Sequence, residues 1–383
     1  AVQLVVVLHN RLDFTFDFYH KKTTGILYRP SIYMTVGVKT APYKNIAEVT
    51  NNGVELTATW RDHIGKFHYS VSGNFSYNHN EVSKYKGKLE RGWVTNEDGS
   101  QTYKSNIGDV STGSTTRVIE GRIINEYYLL SPYKGNGTYY NADGTVNING
   151  GPKDGMIRTE KDMAWVKDMI AAGYKFQPNT TVGKNKLWYG DYIYADKNGD
   201  GIYGSSYDYE FQGKSNRPPM FYGFQLSASY DNFDFSANFA GTLGSKLYWS
   251  PSVSHSTLCR LGYEISSEIA NNHYYYDPDD PENTKTNITA KYPRLVGESG
   301  YQANAASTLY LFNANYLKCK SMTIGYTLPT ALAAKVYMKS LRLYVTGENL
   351  FTITSYPGMD PELGAGYVYM PSRSIAIGAN ITF

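Results

Sequence analysis

The sequence predicts an all-β fold: a transmembrane antiparallel β-barrel with long extracellular loops and short periplasmic turns. Three observations carry that expectation. In the last segment, Ile375, Ile377, Ala379, Ile381 and Phe383 alternate with Ser374, Ala376, Gly378, Asn380 and Thr382, and a period of two gives a strand one apolar and one polar face. Connections between such segments alternate short and long, as a barrel with short periplasmic turns and long outer loops requires. Tyr is in excess, 37 against 15 Phe and 5 Trp, which suits strands whose rings meet lipid or sugar while their hydroxyls stay wet.

In chain order, Leu12, Phe14, Phe16 and Phe18 form the first alternating run, followed by Val54, Leu56, Ala58 and Trp60. Phe67, Tyr69, Val71, Gly73, Phe75 and Tyr77 come next, then Tyr222 to Tyr230 and Phe233 to Phe239. A longer strand is expected from about Leu309 to Leu328, with Met322, Ile324, Tyr326 and Leu328 on one face. That exceeds the ~9–11 residues needed to span a bilayer, so it should project beyond it. Leu341, Leu343 and Val345 precede the final strand. Short links fall at 61–66, 231–232 and 329–340, and long ones at 21–50, 81–218, 249–308 and 352–372. The parity puts the C-terminus on the periplasmic side. Rings near strand ends, as at Phe67 and Tyr77 or Tyr222 and Tyr230, resemble the aromatic girdles of a lipid-facing band, leaving Ser, Thr, Asn and Asp to line a wet interior.

The bulk numbers exclude other classes. No run approaches the ~18 apolar residues of a membrane helix. The apolar start, Val2 to Leu8, is too short and lacks the basic leader of a signal peptide. A net charge of +3 gives no reason to invoke nucleic acid. Cys259 and Cys319 allow one disulfide but no framework, and His63 and His68 flank a turn. Inside 81–218, Thr159 and Asp162 make a capping-box pattern, and Met163, Val166, Met169 and Ile170 follow at helical spacing up to Gly173. Asn141-Ala142-Asp143-Gly144 reads as a hairpin turn, and Pro329 as the start of a short helix over Ala331 to Ala334.

One compact motif carries chemistry. Asp196, Asn198 and Asp200 place oxygens at positions 1, 3 and 5 of a turn, with Gly201 at 6 and the Ile202 carbonyl at 7. That spacing suits Ca²⁺. Position 12 is Tyr207, so the closing carboxylate would be Asp208, one residue late. The competing reading is a metal-free Asx turn. Loop aromatics, namely Trp93, Tyr127, Tyr128, Tyr133, Tyr139, Tyr140 and Tyr274 to Tyr276, suit either sugar stacking or loop packing. No nucleophile elbow and no phosphate-cradling loop occurs, so an enzyme is not expected.

An ordered series of segments resembles the SusC/RagA-type TonB-dependent transporters of Bacteroidota outer membranes. It runs from Asn45-Ile46-Ala47-Glu48-Val49 and Asn52-Gly53-Val54-Glu55-Leu56 through Gly190-Asp191-Tyr192-Ile193-Tyr194 and the Asp196 turn. Tyr222-Gly223-Phe224 and Asp231-Asn232-Phe233-Asp234-Phe235 continue it, then Asn315-Tyr316-Leu317-Lys318 and Thr323 to Pro329. Gly347-Glu348-Asn349-Leu350-Phe351-Thr352, Gly358-Met359-Asp360-Pro361-Glu362 and the terminal Phe383 complete it. The resemblance implies the C-terminal part of a large plugged barrel over 1–383, with 81–218 and 249–308 as long extracellular loops and the plug and TonB-contact segment absent from this chain. It further implies import of a large nutrient, an oligosaccharide or a peptide, with a SusD-like surface lipoprotein as lid and TonB as energy source. The residues alone leave two other readings open: a secreted soluble β-rich glycan-binding protein or glycosidase, and a barrel adhesin without transport.

Overall fold

The computed structural model describes residues 2–8, 11–28, 42–250, 264–275, 289–295 and 305–383. Its spine is a nine-stranded antiparallel sheet. The strands are β1 (Val2–Leu8), β2 (Leu12–Tyr28), β3 (Lys44–Ile64), β4 (Phe67–Lys84), β5 (Met220–Tyr230), β6 (Phe233–Leu243), β7 (Tyr316–Thr327), β8 (Ser340–Thr354) and β9 (Ser374–Thr382). Each pairs with its neighbours in chain order. Among the described residues β1 and β9 each pair on one side only, so the sheet is open.

Register turns the alternations of β2 to β9 into two continuous faces. One row runs Leu8, Leu12, Trp60, Val71, Leu226, Ala237, Met322, Gly347, Ile375, apolar from edge to edge. A row on the opposite face runs Asp13, Thr59, Ser72, Gln225, Asn238, Ser321, Glu348, Ser374. Its members bond across strands: Thr59 with Ser72 at 2.8 Å, Asn238 donating to Ser321 at 2.8 Å, and Ser374 donating to Glu348 at 3.2 Å. A slip of one residue at any pair would reverse that strand's faces.

No second layer covers the apolar face among the described residues. Ile377 is 84% exposed and Phe233 57%, while Phe14 and Phe235 are shielded only in part. At about 25 cal/mol per Å², a continuous face of this kind is costly in water and stable against hydrocarbon. A soluble sandwich would bury it, so that alternative is not favoured. The band has the right height. Strand β5 is 11 residues long, and at ~3.4 Å per residue and a tilt of ~45° it rises about 25 Å. At the short-turn end Phe67, Tyr230, Phe233 and Tyr326 form one row, with Phe233 and Tyr326 centroids 4.7 Å apart.

Short and long connections alternate as expected, but several boundaries move. Residues 2–8 form a strand that period-two reading missed, because Val5 and Val7 make it apolar on both faces. Among its described residues, the connection expected at 21–50 is nearly all strand: β2 has 17 residues and β3 has 21, and residues 29–41 lie outside the described residues. Beyond Phe18, Val54 and Tyr77 the strands become polar. Tyr19 donates to Asn78 at 3.2 Å and Asn78 to Asn51 at 3.1 Å, so no apolar period marks them. The strand expected over 309–328 breaks. Leu311–Asn313 pairs with Lys246–Tyr248, and β7 starts only at Tyr316 after Asn315 accepts the Gly244 N–H at 2.8 Å. The long projection belongs to β2, β3 and β4.

The buried core lies in the long connections. The helix Glu160–Ala171 has the expected capping box, with Thr159 and Asp162 exchanging hydrogen bonds. Gly173 ends it at φ +98°. Met163, Trp165, Val166 and Met169 are buried against Phe176, Leu187 and Ile193. The 141–144 turn forms, Asn141 donating to Thr145 at 2.8 Å, and Pro329 caps the short helix Thr330–Ala333.

Candidate functional site

The candidate site is built by the long connections where they close over one end of the sheet. Strand Glu126–Leu129 pairs with Thr116–Val118 on one side and Glu210–Phe211 on the other. Beside this small sheet lie two adjoining cavities, of about 630 Å³ and 300 Å³, which share Ser206, Tyr207 and Tyr209. A hairpin, Arg91–Thr95 with Gln101–Ser105, brings further rings to the rim. Trp93 meets Tyr103 edge-on at 5.6 Å, and Tyr103 meets Tyr207 at 5.2 Å. Trp93 and Tyr207 are exposed, so flat faces are on offer to a ligand.

The predicted cation loop forms a turn held by its own side chains. Asp196 accepts the N–H groups of Gly199 at 2.7 Å and Gly201 at 2.8 Å. Asn198 donates to Asp200 at 2.9 Å, and Asp200 accepts the Ile202 N–H at 2.8 Å. Asp208 is fully buried and accepts from the Lys197 and Ser205 amides, both at 2.7 Å. Burial pushes its carboxyl above the ordinary range; those amide bonds pull against that, and the charge of Asp196 adds to it. Among the described residues no group of three His, Cys, Asp or Glu side chains is placed to hold a metal ion. These bonds account for the shape of the turn without an ion. Trp93 Nε1 donates to the Asn198 carbonyl at 3.1 Å, which ties the turn to the aromatic rim.

Most of the loop aromatics singled out by sequence are packing groups. Tyr127, Tyr128, Tyr133 and Tyr274 are buried. Tyr139 and Tyr140 donate to Asp162 and Asp168, each at 2.7 Å, and clamp the helix. Trp93, Tyr140 and Tyr275 remain exposed. Tyr276 and Cys259 lie outside the described residues, and Cys319 is buried. Tyr103 and Tyr209 went unnoticed in the sequence, and Tyr207 entered only as a mismatch in the cation loop. They sit on short strands and turns with no periodic signal.

No family model matches the chain. TonB-dependent receptor P3 of Formosa agariphila is 25% identical over 396 residues, covering 99% of this chain and 33% of its own length. TonB-dependent receptor SusC of Bacteroides thetaiotaomicron is 23% identical over 382 residues, covering 98% and 30%. A solved RagAB peptide importer in its closed-closed state superposes with TM-score 0.64 at 20% identity, covering 100% of this chain and 35% of that one. The chain is SusC-like. It spans about a third of the length of the curated relatives it matches. These relatives are receptors and importers, not enzymes. A SusC-like barrel sits in the bacterial outer membrane, and the exposed apolar band of this chain meets its hydrocarbon.

The segments that carry the SusC-like resemblance gain physical content here. Asn315–Lys318 and Gly358–Glu362 are distant in sequence but meet in one ion cluster whose centre is buried. Lys318, 3% exposed, donates to Asp360, 5% exposed, at 2.7 Å and to Glu362 at 2.8 Å, and Lys320 also bonds Glu362. The cluster ties the 355–373 connection to the polar face of β7. Gly190 and Asp191 make a second tie. Arg294 grips the buried Asp191 with two bonds, at 2.8 Å and 3.0 Å. A side chain at Gly190 would strike the Tyr274 ring at 2.4 Å.

Proposed function

We propose that this chain forms part of the wall and the outer loops of a barrel that imports a large nutrient, an oligosaccharide or a peptide, across the outer membrane. TonB supplies the energy, and a SusD-like lipoprotein closes the outer face. The observation that carries the reading is the unbroken polar ladder from Asp13 to Ser374 behind an apolar outer face, set beneath an ordered loop assembly with cavities. A polar wall of this kind suits a hydrated passage. The likeness to SusC and to a peptide importer supports import and leaves the cargo between sugar and peptide. Deletion of the gene is expected to abolish growth on an oligomeric glycan or peptide as sole source while growth on its monomers continues. Unchanged uptake of every oligomer offered would favour an adhesin.

The cation at Asp196 is a separate proposal and rests on oxygen spacing. Asp196, Asn198, Asp200, the Ile202 carbonyl and Asp208 are its candidate ligands, and Ca²⁺ would share oxygens that already accept N–H bonds. Calorimetry should then show heat on Ca²⁺ addition that Asp196→Ala removes. No heat in the unsubstituted protein would leave the turn as a self-sufficient Asx network.

A further inference from the structure

We infer that the smaller loop cavity is a binding pocket for a carboxylate carried next to an apolar or ring-shaped group, with Arg117 as its anchor. The inference rests on the import reading and narrows its substrate class. Arg117 lines the 300 Å³ cavity together with Tyr128, Tyr207, Tyr209, Ser114 and Ser206. Its side chain is held rather than spent. One terminal nitrogen donates to Ser111 Oγ at 2.8 Å, and the guanidinium lies 4.9 Å from the centre of the Tyr128 ring. Tyr128 is in turn braced by Tyr209 at 5.5 Å and Phe211 at 4.8 Å. Yet the Arg117 Nε is buried without a hydrogen-bond partner.

That nitrogen has no exposed surface, so a ligand in the cavity would meet the terminal nitrogens of the guanidinium and not the Nε. The nearest acid in register is Glu126, directly across the strand pair. It is engaged elsewhere: it accepts the Gly213 N–H at 2.6 Å and lies 3.6 Å from Arg122. No carboxylate lines the cavity. What remains is one positioned cation, several hydroxyls and tyrosine faces. A planar guanidinium prefers an acceptor that takes two parallel bonds, which a carboxylate does. The rings give the attached group a face to stack on. The larger cavity, which shares Ser206, Tyr207 and Tyr209, leaves room for the rest of an oligomer. The carboxylate has two natural sources in such cargo, a uronic-acid sugar and an acidic or C-terminal peptide group.

The test uses the intact transporter in detergent and titrates matched pairs by calorimetry. One pair is an oligogalacturonate and its methyl ester, and the other an oligoglutamate and the corresponding oligoglutamine. The expected result is that in at least one pair the acid binds about 10–100-fold more tightly than its neutral partner, as a charge-assisted bond to a prepared site would give. The preferring pair identifies the source. Arg117→Ala should remove the preference and Arg117→Lys should keep part of it. Raising salt should shrink it in the unsubstituted protein, which tests the charge without any substitution. The inference falls if neither acid binds, if acid and neutral forms bind alike, or if the preference survives in Arg117→Ala or is indifferent to salt. Its failure is separable from that of the import reading. Loss of oligomer uptake on deletion without acid preference removes this pocket alone, whereas acid preference with unchanged uptake removes import alone.

Discussion

At the residue scale, the pairing of Tyr with Gly explains part of a composition with 37 Tyr and 36 Gly. Tyr19 lies opposite Gly53, Tyr222 opposite Gly241 and Tyr344 opposite Gly378. In each pair the ring lies across the glycine: a Cβ would come within 2.3 Å of the ring at Gly53 and Gly378 and within 2.5 Å at Gly241. The ring covers backbone that glycine leaves bare, and the strand stays close-packed. Gly378→Val should therefore destabilise the sheet by about 1–3 kcal/mol through overpacking, read as a lower urea midpoint in detergent. Gly73→Ala is the control, since a Cβ there meets nothing nearer than 3.9 Å. Equal midpoints for both variants would refute this account. The sequence displayed the two residue types in excess but could not pair them, because pairing depends on register between strands.

At the element scale, the decisive feature is how the connections are fastened to the wall. The 355–373 connection hangs on Lys318, Asp360, Glu362 and Lys320. Burial alone would raise the Glu362 carboxyl, but hydrogen bonds and charge from Lys318 and Lys320 outweigh it and hold it below its ordinary value of 4.5. A carboxyl lowered in the folded state stabilises above its ordinary range and loses that contribution as pH falls through the lowered value. Hydrogen exchange, corrected for intrinsic rates, should thus show 355–373 losing protection below about pH 4 while β7 and β8 keep theirs. Glu362→Gln should lose the pH dependence. Asp360→Ala should open the connection at neutral pH at a cost of about 1.5–3 kcal/mol. Protection that is the same at both pH values would remove the cluster as a fastening. Both segments are legible in the sequence, but nothing there shows that they are one cluster. Their contact is made only when the connection folds back onto β7.

At the scale of the whole molecule, the alternating stretches of the wall are legible in the sequence. Period-two alternation at Phe67–Tyr77, Tyr222–Tyr230 and Ser374–Phe383 fixes which side chains share a face, because the pleat admits no other arrangement. The alternating link lengths fix the direction of each strand. The capping box at Thr159 likewise specified its helix locally. The tertiary structure decided what has no local period. It showed that strands continue where they become polar, at Tyr19–Tyr28 and Lys44–Gly53. It showed that Val2–Leu8, apolar on both faces, is a strand of the sheet. It showed that Tyr127, Tyr128, Tyr133 and Tyr274 are core, and that Arg117, Tyr207 and Tyr209 surround one cavity although the first two are 90 positions apart in the chain. The physical reason is the range of the forces involved. Strand faces and helix caps are set by neighbours a few residues away, whereas a pocket and an ion cluster with a buried centre exist only where distant segments exclude water together.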